Sequence, residues 1–288
     1  MKAVAAPYFA APPRSFRRWY LEHERAVLGV VAVAIFITFW EGLTRGWWAD
    51  LLAPLIGASA ARWRINPIFL SSPSAIAAAF YRVFFVTGEI WNDLRVSGLE
   101  YVLGFVLAVV VGIPLGLTAG WYRRFHYAVE PFLSALNATP QVAFLPLIVV
   151  WVGTDLAAKV LIIFLLAVLP IAMSAQAAVR TTDARLLTMA KSCGAGQWQL
   201  FRTIIVPSAI PYLLAGLRLA VGRAMIGIVV GEIYGSASGI GAMINQAGSR
   251  FQTDKVFVGV LTLIAAGMIL SEILRRIEAR VEIWRPPL

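Results

Sequence analysis

The sequence is poor in the residues that carry most enzyme chemistry. Its single cysteine, Cys193, excludes an intrachain disulfide and implies no oxidising compartment. His23 and His126 are the only histidines, and no His/Cys/carboxylate cluster shows metal-ligand spacing. No lysine follows a glycine: Lys2, Lys159, Lys191 and Lys255 follow Met, Ala, Ala and Asp, which excludes a Gly-Lys-Ser/Thr phosphate loop. The Gly-x-Ser-x-Gly nucleophile pattern is missing as well, since 235–239 reads Gly-Ser-Ala-Ser-Gly with alanine in the middle. Charge is scarce too. Charged residues make up 14% of the chain, where a soluble domain carries about 25%.

What the chain has is apolar length. Hydrophobic residues are 60% of the total, mean hydropathy is +0.78, and the apolar residues come in long runs. About 20 such residues cross a bilayer as a helix, and lipid requires every backbone group to be paired within the segment. Ten-residue stretches of period-two alternation, which would mark a barrel, are absent. The class is an all-α polytopic membrane protein. The net charge of +10 fits basic loops that orient membrane helices, and no basic, aromatic-studded soluble module exists to bind nucleic acid.

Residues 1–25 form a polar, basic segment, and 26–46 a first span with no small-residue cleavage site after it. A mixed connection over 47–95 contains a short helix begun at Pro73, placed on the outer surface. A permease-like core over 96–274 holds further spans at about 99–120, 132–152, 160–179, 209–230 and 256–274, and 275–288 is a basic tail. Six spans put both termini on one side. Arg123, Arg124, Arg180, Arg185, Lys191, Arg202, Arg275 and Arg276 then make that side cytoplasmic.

One inner loop, 181–207, breaks the apolar pattern. Thr182-Asp183 suits a helix start, Leu186, Leu187 and Met189 give an apolar side, and Gly194 and Gly196 suit a sharp turn between short helices. Such a loop can present a knob to a soluble partner or lie on headgroups. Gly194, nine residues, then Ile204, Ile205, Val206 and Pro207 resembles the signature loop of binding-protein-dependent ABC importer permeases. The family pattern begins Glu-Ala-Ala; here the aligned triplet is Thr188-Met189-Ala190, so the acid is missing. "NPIFLSSPSAI", "GFVLAVVVGIPLGLTAG", "ATPQVAFLPLIVVWVGTD", "GLRLAVGRAMIGIVVGEIYGSASGIGAMI" and "FQTDKVFVGVLTLI" extend the likeness over roughly 64–284, to the nitrate, sulfonate and taurine branch.

The resemblance implies a type I importer permease of a bacterial inner membrane. It implies a coupling helix that docks on cytoplasmic ABC ATPase subunits through Thr188, Ala190, Lys191, Gly194, Ala195, Trp198 and Pro207. It further implies a periplasmic or lipid-anchored solute-binding protein, a second copy of the chain, surrounding lipid, and no cofactor of its own, with ATP and Mg²⁺ bound by the partner ATPase. The solute expected is a small anion such as nitrate, a sulfonate or taurine. The alternative is a secondary transporter using intramembrane charges without an ATPase.

Candidate pathway residues are Asn137 and Gln141 in the polar third span, and Arg218, Arg223 and Glu232 in or at the end of the fifth. The arginines either give the path a positive field, pair with acids such as Glu100 or Glu272, or reach the headgroups. Asn137 and Gln141 either line a cavity or bond between helices. Gly112, Gly116 and Gly120, spaced by four, read as a close helix contact. "GSASGIG" at 235–241 reads as a flexible outer segment, near a docked binding protein or simply a loop.

Overall fold

The computed structural model describes residues 16–56, 65–66, 68–234 and 236–281. The chain divides into two compact units, 1–75 and 76–288. In the first, α1 (Phe16–Arg45) ends at Gly46, whose φ of 82° turns the chain into α2 (Trp47–Ile56). Trp48 folds back so that its indole Nε1 donates to the Phe39 carbonyl at 3.0 Å, closing the corner. The helix begins at Phe16, and its stretch long and apolar enough to cross a membrane is Ala26–Arg45; residues 1–15 lie outside the described part.

After α3 (Pro73–Tyr81), the second unit is built on α4 (Ile90–Trp121), α7 (Leu156–Arg180) and α10 (Val206–Ile233). Half of the most apolar window of α7 is buried, against 17% for α12 (Thr253–Val281), so α7 is the central helix and α12 is peripheral. Its buried Ile163, Ala167 and Ile171 meet Ala108 of α4 and Ala220 and Ala224 of α10 in one core.

The glycines of α4 set how closely it approaches α7. A Cβ at Gly112 would stand 3.0 Å from Ile171, at Gly116 2.2 Å from the Ala172 carbonyl oxygen, and at Gly120 2.6 Å from the Val179 Cβ. Gly104, about two turns before Gly112 on the same face, would bring a Cβ within 2.6 Å of Ile163. Without a hydrophobic driving force between helices in lipid, such close backbone packing is the main attraction. The four-residue spacing therefore serves a contact within one chain.

Several expected boundaries shift. The second span begins at Ile90, because Asp93 and Arg95 fit the first turns of a helix that extends past the hydrocarbon; its 32 residues reach about 48 Å. The expected span 132–152 is not one helix. α5 (Arg123–Ala138) and the segment 141–152, which ends in α6 (Leu145–Val152), are bent by 94°. The cause is Pro140, which lacks an N–H and drives Thr139 to extended backbone (φ −89°, ψ 136°). Among the described residues five helices are thus long and apolar enough to cross a membrane, or six when the bent pair counts as one span.

The fifth span starts earlier than residue 209. Helix runs from α9 (Gln197–Leu200) through a wide π-type turn at Phe201–Ile205 into α10. The wider turn and the first-turn position of Pro207 let the helix pass a residue with no donor. At the other end α12 continues to Val281, so the tail from 275 is largely helical as far as it is described. No β-strand occurs among the described residues.

Candidate functional site

The loop between α7 and α10 closes with its own hydrogen bonds. Asp183 caps α8 (Ala184–Ser192), its Oδ1 accepting the Arg185 N–H at 2.8 Å. At the far end Gly194 N–H donates to the Lys191 carbonyl (2.9 Å) and Ala195 N–H to the Ala190 carbonyl (3.0 Å). This pair of bonds is a complete Schellman turn, and Gly194 takes its left-handed position at φ 82°. A Cβ there would meet nothing within 4 Å, so the backbone angle, not space, requires glycine. Gly196, expected to share the turn, has φ −70° and precedes α9 as its cap; the Gln199 side-chain oxygen accepts its N–H at 2.9 Å.

One side of this loop is anchored and the other is open. Leu187 and Phe201 pack on Leu117, Val179, Ile205 and Ala209. Trp198 stacks on Phe201 with centroids 5.8 Å apart, yet remains 69% exposed, and Met189 is 61% exposed. Thr188 and Lys191 are exposed, Ala190 and Ala195 are half-buried, and Pro207 is exposed at the start of α10. Of the expected coupling residues, all but Pro207 thus lie on or beside one projecting turn.

At the other end of α10 the chain is buried and charged. Lys159 Nζ lies 2.7 Å from both Glu100 Oε1 and the Ser236 hydroxyl. Glu232, 1% exposed, accepts from the Ser97 hydroxyl at 2.5 Å and from Gly241 N–H at 2.5 Å. Ser97 Oγ in turn accepts from Ile240 N–H (2.9 Å), and Asp93 Oδ1 from Gly239 N–H (2.8 Å). These bonds fasten the segment 236–241 and the start of α11 (Ile240–Ser249) onto α4 and α7.

The segment expected to be flexible is therefore pinned as far as it is described, because backbone donors brought into a low-dielectric interior must find acceptors. Glu232, expected on the pathway, has both carboxylate oxygens engaged inside the chain. The cluster of Ser97, Glu100 and Lys159 was not anticipated as a unit. Its available signal was two opposite charges, each near the start of an apolar run.

The remaining candidates separate. Arg218 pairs with Glu278, not with Glu100 or Glu272; Glu272 is held by Arg275 (2.8 Å) and Arg276 (2.9 Å). Arg218 lies at a largely apolar groove of about 1220 Å³ between α10 and α12, with Met225, Ile264 and Met268 among its walls. Arg223 is exposed, does not line that groove, and forms no ion pair among the described residues. Asn137 is exposed on the last turn of α5. Gln141, just past the bend, is 7% exposed, and neither of its amide atoms has a hydrogen-bond partner among the described residues.

Comparison with known proteins shows the family and the fold. Residues 112–283 match the family described as "Binding-protein-dependent transport system inner membrane component". The chain is 32% identical over 247 residues to the putative aliphatic sulfonates transport permease protein SsuC of Bacillus subtilis (strain 168), covering 83% of this chain and 88% of that one. It is 28% identical over 271 residues to the taurine transport system permease protein TauC of Escherichia coli (strain K12), covering 93% and 92%. The riboflavin transport system permease protein RibX of Chloroflexus aurantiacus is 33% identical over 216 residues, covering 74% and 80%. Among solved structures, an inward-facing form of the MetNI methionine ABC transporter matches with a TM-score of 0.55 at 19% identity, over 69% of this chain and 97% of that one, a likeness of fold. The chain belongs to the inner-membrane permease family of binding-protein-dependent ABC importers, in the branch of its sulfonate and taurine relatives, as an all-helical, multi-pass inner-membrane protein.

Proposed function

We propose that this chain forms the translocation path of an ATP-driven importer for a small anionic solute of the sulfonate or taurine kind. Two copies would line the path. A separate ATPase pair would bind ATP and Mg²⁺, and a solute-binding protein would deliver the cargo from the other side. The observation that carries this reading is the rigid turn at 183–196 with Met189 and Trp198 projecting from it. A short element that cannot bend transmits a displacement, and closely packed helices supply two discrete arrangements for alternating access.

Within this reading Thr188, Ala190, Lys191, Gly194, Ala195 and Trp198 form the coupling knob, and Pro207 lies where the force enters α10. The pathway roles are uneven. Arg223, exposed and without an ion pair among the described residues, is better placed to favour an anion than Arg218, whose charge is offset by Glu278. Gln141 and Asn137 stand at the bend of the broken pair, and a buried amide with free donors and acceptors suits a solute or a second copy. Glu232 supports the path from behind, holding the segment that follows α10.

The test is reconstitution in proteoliposomes with the cognate ATPase and binding protein, following labelled taurine and an alkanesulfonate. ATP-dependent uptake that vanishes with an ATPase lacking hydrolysis supports the reading. Uptake by this chain alone, driven by an ion gradient, would make it a secondary transporter.

A further inference from the structure

The projecting turn carries a strong excess of positive charge. Asp183 is the sole acid between Asp155 and Glu232, and its carboxylate is occupied in capping α8. Around it stand Arg180, Arg185, Lys191 and Arg202, all exposed and none in an ion pair among the described residues. Two neutral side chains are engaged locally: the Thr188 hydroxyl donates to the Ala184 carbonyl at 2.9 Å, and the Gln199 oxygen accepts from Gly196 N–H at 2.9 Å. Between the cations, Leu186, Met189 and Trp198 expose apolar surface.

We infer that the ATPase groove receiving this turn has an apolar floor and an acidic rim. The inference rests on the docking reading above and adds the partner's chemistry. Interface cores are enriched in aromatic residues, Met and Arg, which is the composition presented here. Complementary charge at the rim speeds encounter and excludes wrong partners. Thr188 has no charge to offer a cation, so a basic rim would meet the like charges of Arg185, Lys191 and Arg202. Anionic headgroups could also answer them. They place no demand on the angle between α8 and α9, whereas that angle is held by two Schellman bonds and a cap.

The test uses the full chain in nanodiscs with its cognate ATPase, and Cys193, exposed and the only cysteine in the chain, as the attachment point for a photo-crosslinker. The crosslinker is expected to capture the ATPase. Its apparent affinity should fall about tenfold from 0.05 to 0.5 M NaCl, because exposed charges are screened over that range. Arg185→Glu with Lys191→Glu should weaken association about tenfold or more, and Thr188→Glu about threefold, while Lys191→Arg stays near wild type.

If Thr188→Glu instead tightens binding, or the double reversal is neutral, the rim is not acidic, although docking stands. Capture of lipid alone at every salt concentration, with the ATPase still stimulated, removes the docking reading itself and assigns the cations to headgroups. Vesicles of neutral and of anionic phospholipid separate that case from a failed crosslink.

Discussion

The two ends of α10 join to polar, glycine-bearing turns of similar appearance, and they are held by opposite means. The turn before it, 181–196, closes almost entirely on its own backbone, with Asp183 and Gln199 as local caps, and leaves its apolar residues in the open. The segment after it, 236–241, is fastened by side chains of α4, α7 and α10, with Glu100 and Glu232 each 1% exposed. A self-sufficient turn can change partners without loss of structure. A segment that depends on buried charges cannot move unless those charges find new partners. The first arrangement suits a docking element and the second a fixed frame.

This contrast can be broken most sharply at Lys159. Replacing it with methionine leaves Glu100 buried without its cation, and loss of one member of a buried pair costs about 3–5 kcal/mol. The thermal unfolding midpoint in nanodiscs should fall markedly, and the double change Lys159→Met with Glu100→Leu should recover most of it. A single change without effect would show that the pair does not hold this end.

Gly239→Ala comes next. The residue has φ 120°, and a Cβ would lie 2.4 Å from the Glu232 carboxyl carbon, so strain alone costs about 1–3 kcal/mol before the displaced carboxylate is counted. Its counterpart Gly194→Ala should cost less, about 1–2 kcal/mol, since only the left-handed backbone opposes it. Gly194 should show the reverse order in function. Ordinary folding with lost stimulation of the ATPase is expected for Gly194→Val, whereas Gly239→Ala should lower folded yield first. Yield by fluorescence size-exclusion and ATPase rate in nanodiscs read the two effects separately.

The smallest effect sharpens the comparison with a third turn. Beyond α11, Phe251 N–H bonds to the Gly248 carbonyl (3.0 Å) and Gln252 N–H to the Ala247 carbonyl (2.9 Å), the same Schellman pattern as at Gly194. Here a phenylalanine, 69% exposed, sits at φ 56° where glycine is favoured. Phe251→Gly should therefore raise stability, by up to about 1 kcal/mol. A fall in the unfolding midpoint would mean that the ring makes contacts worth more than the strain.

Much of the site was legible because it depends on local chemistry. Asp183 at the start of α8 and Gly194 at its end announce a capped helix and a left-handed turn from residue type alone. The four-residue glycine spacing likewise announced a close contact, though not that α7 was the partner. The 94° bend at Pro140 was only half legible: two prolines, two amides and a threonine marked the third span as irregular, but whether the helix merely kinks or turns back depends on its neighbours. The roles of Glu100 and Glu232 were not legible, since their partners lie 59 and 135 residues away along the chain.

By itself the sequence determined the solvent, the helical class, the approximate number of crossings and the projecting turn. These follow from the length of apolar runs and from backbone angles that only certain residues adopt, which act over a few neighbouring residues. Tertiary structure alone decided which partner each charged group takes: Lys159 with Glu100, Arg218 with Glu278, Glu232 with a hydroxyl and a peptide N–H. In an interior of low dielectric a charge takes the partner that packing brings within reach, and packing is a property of the whole bundle.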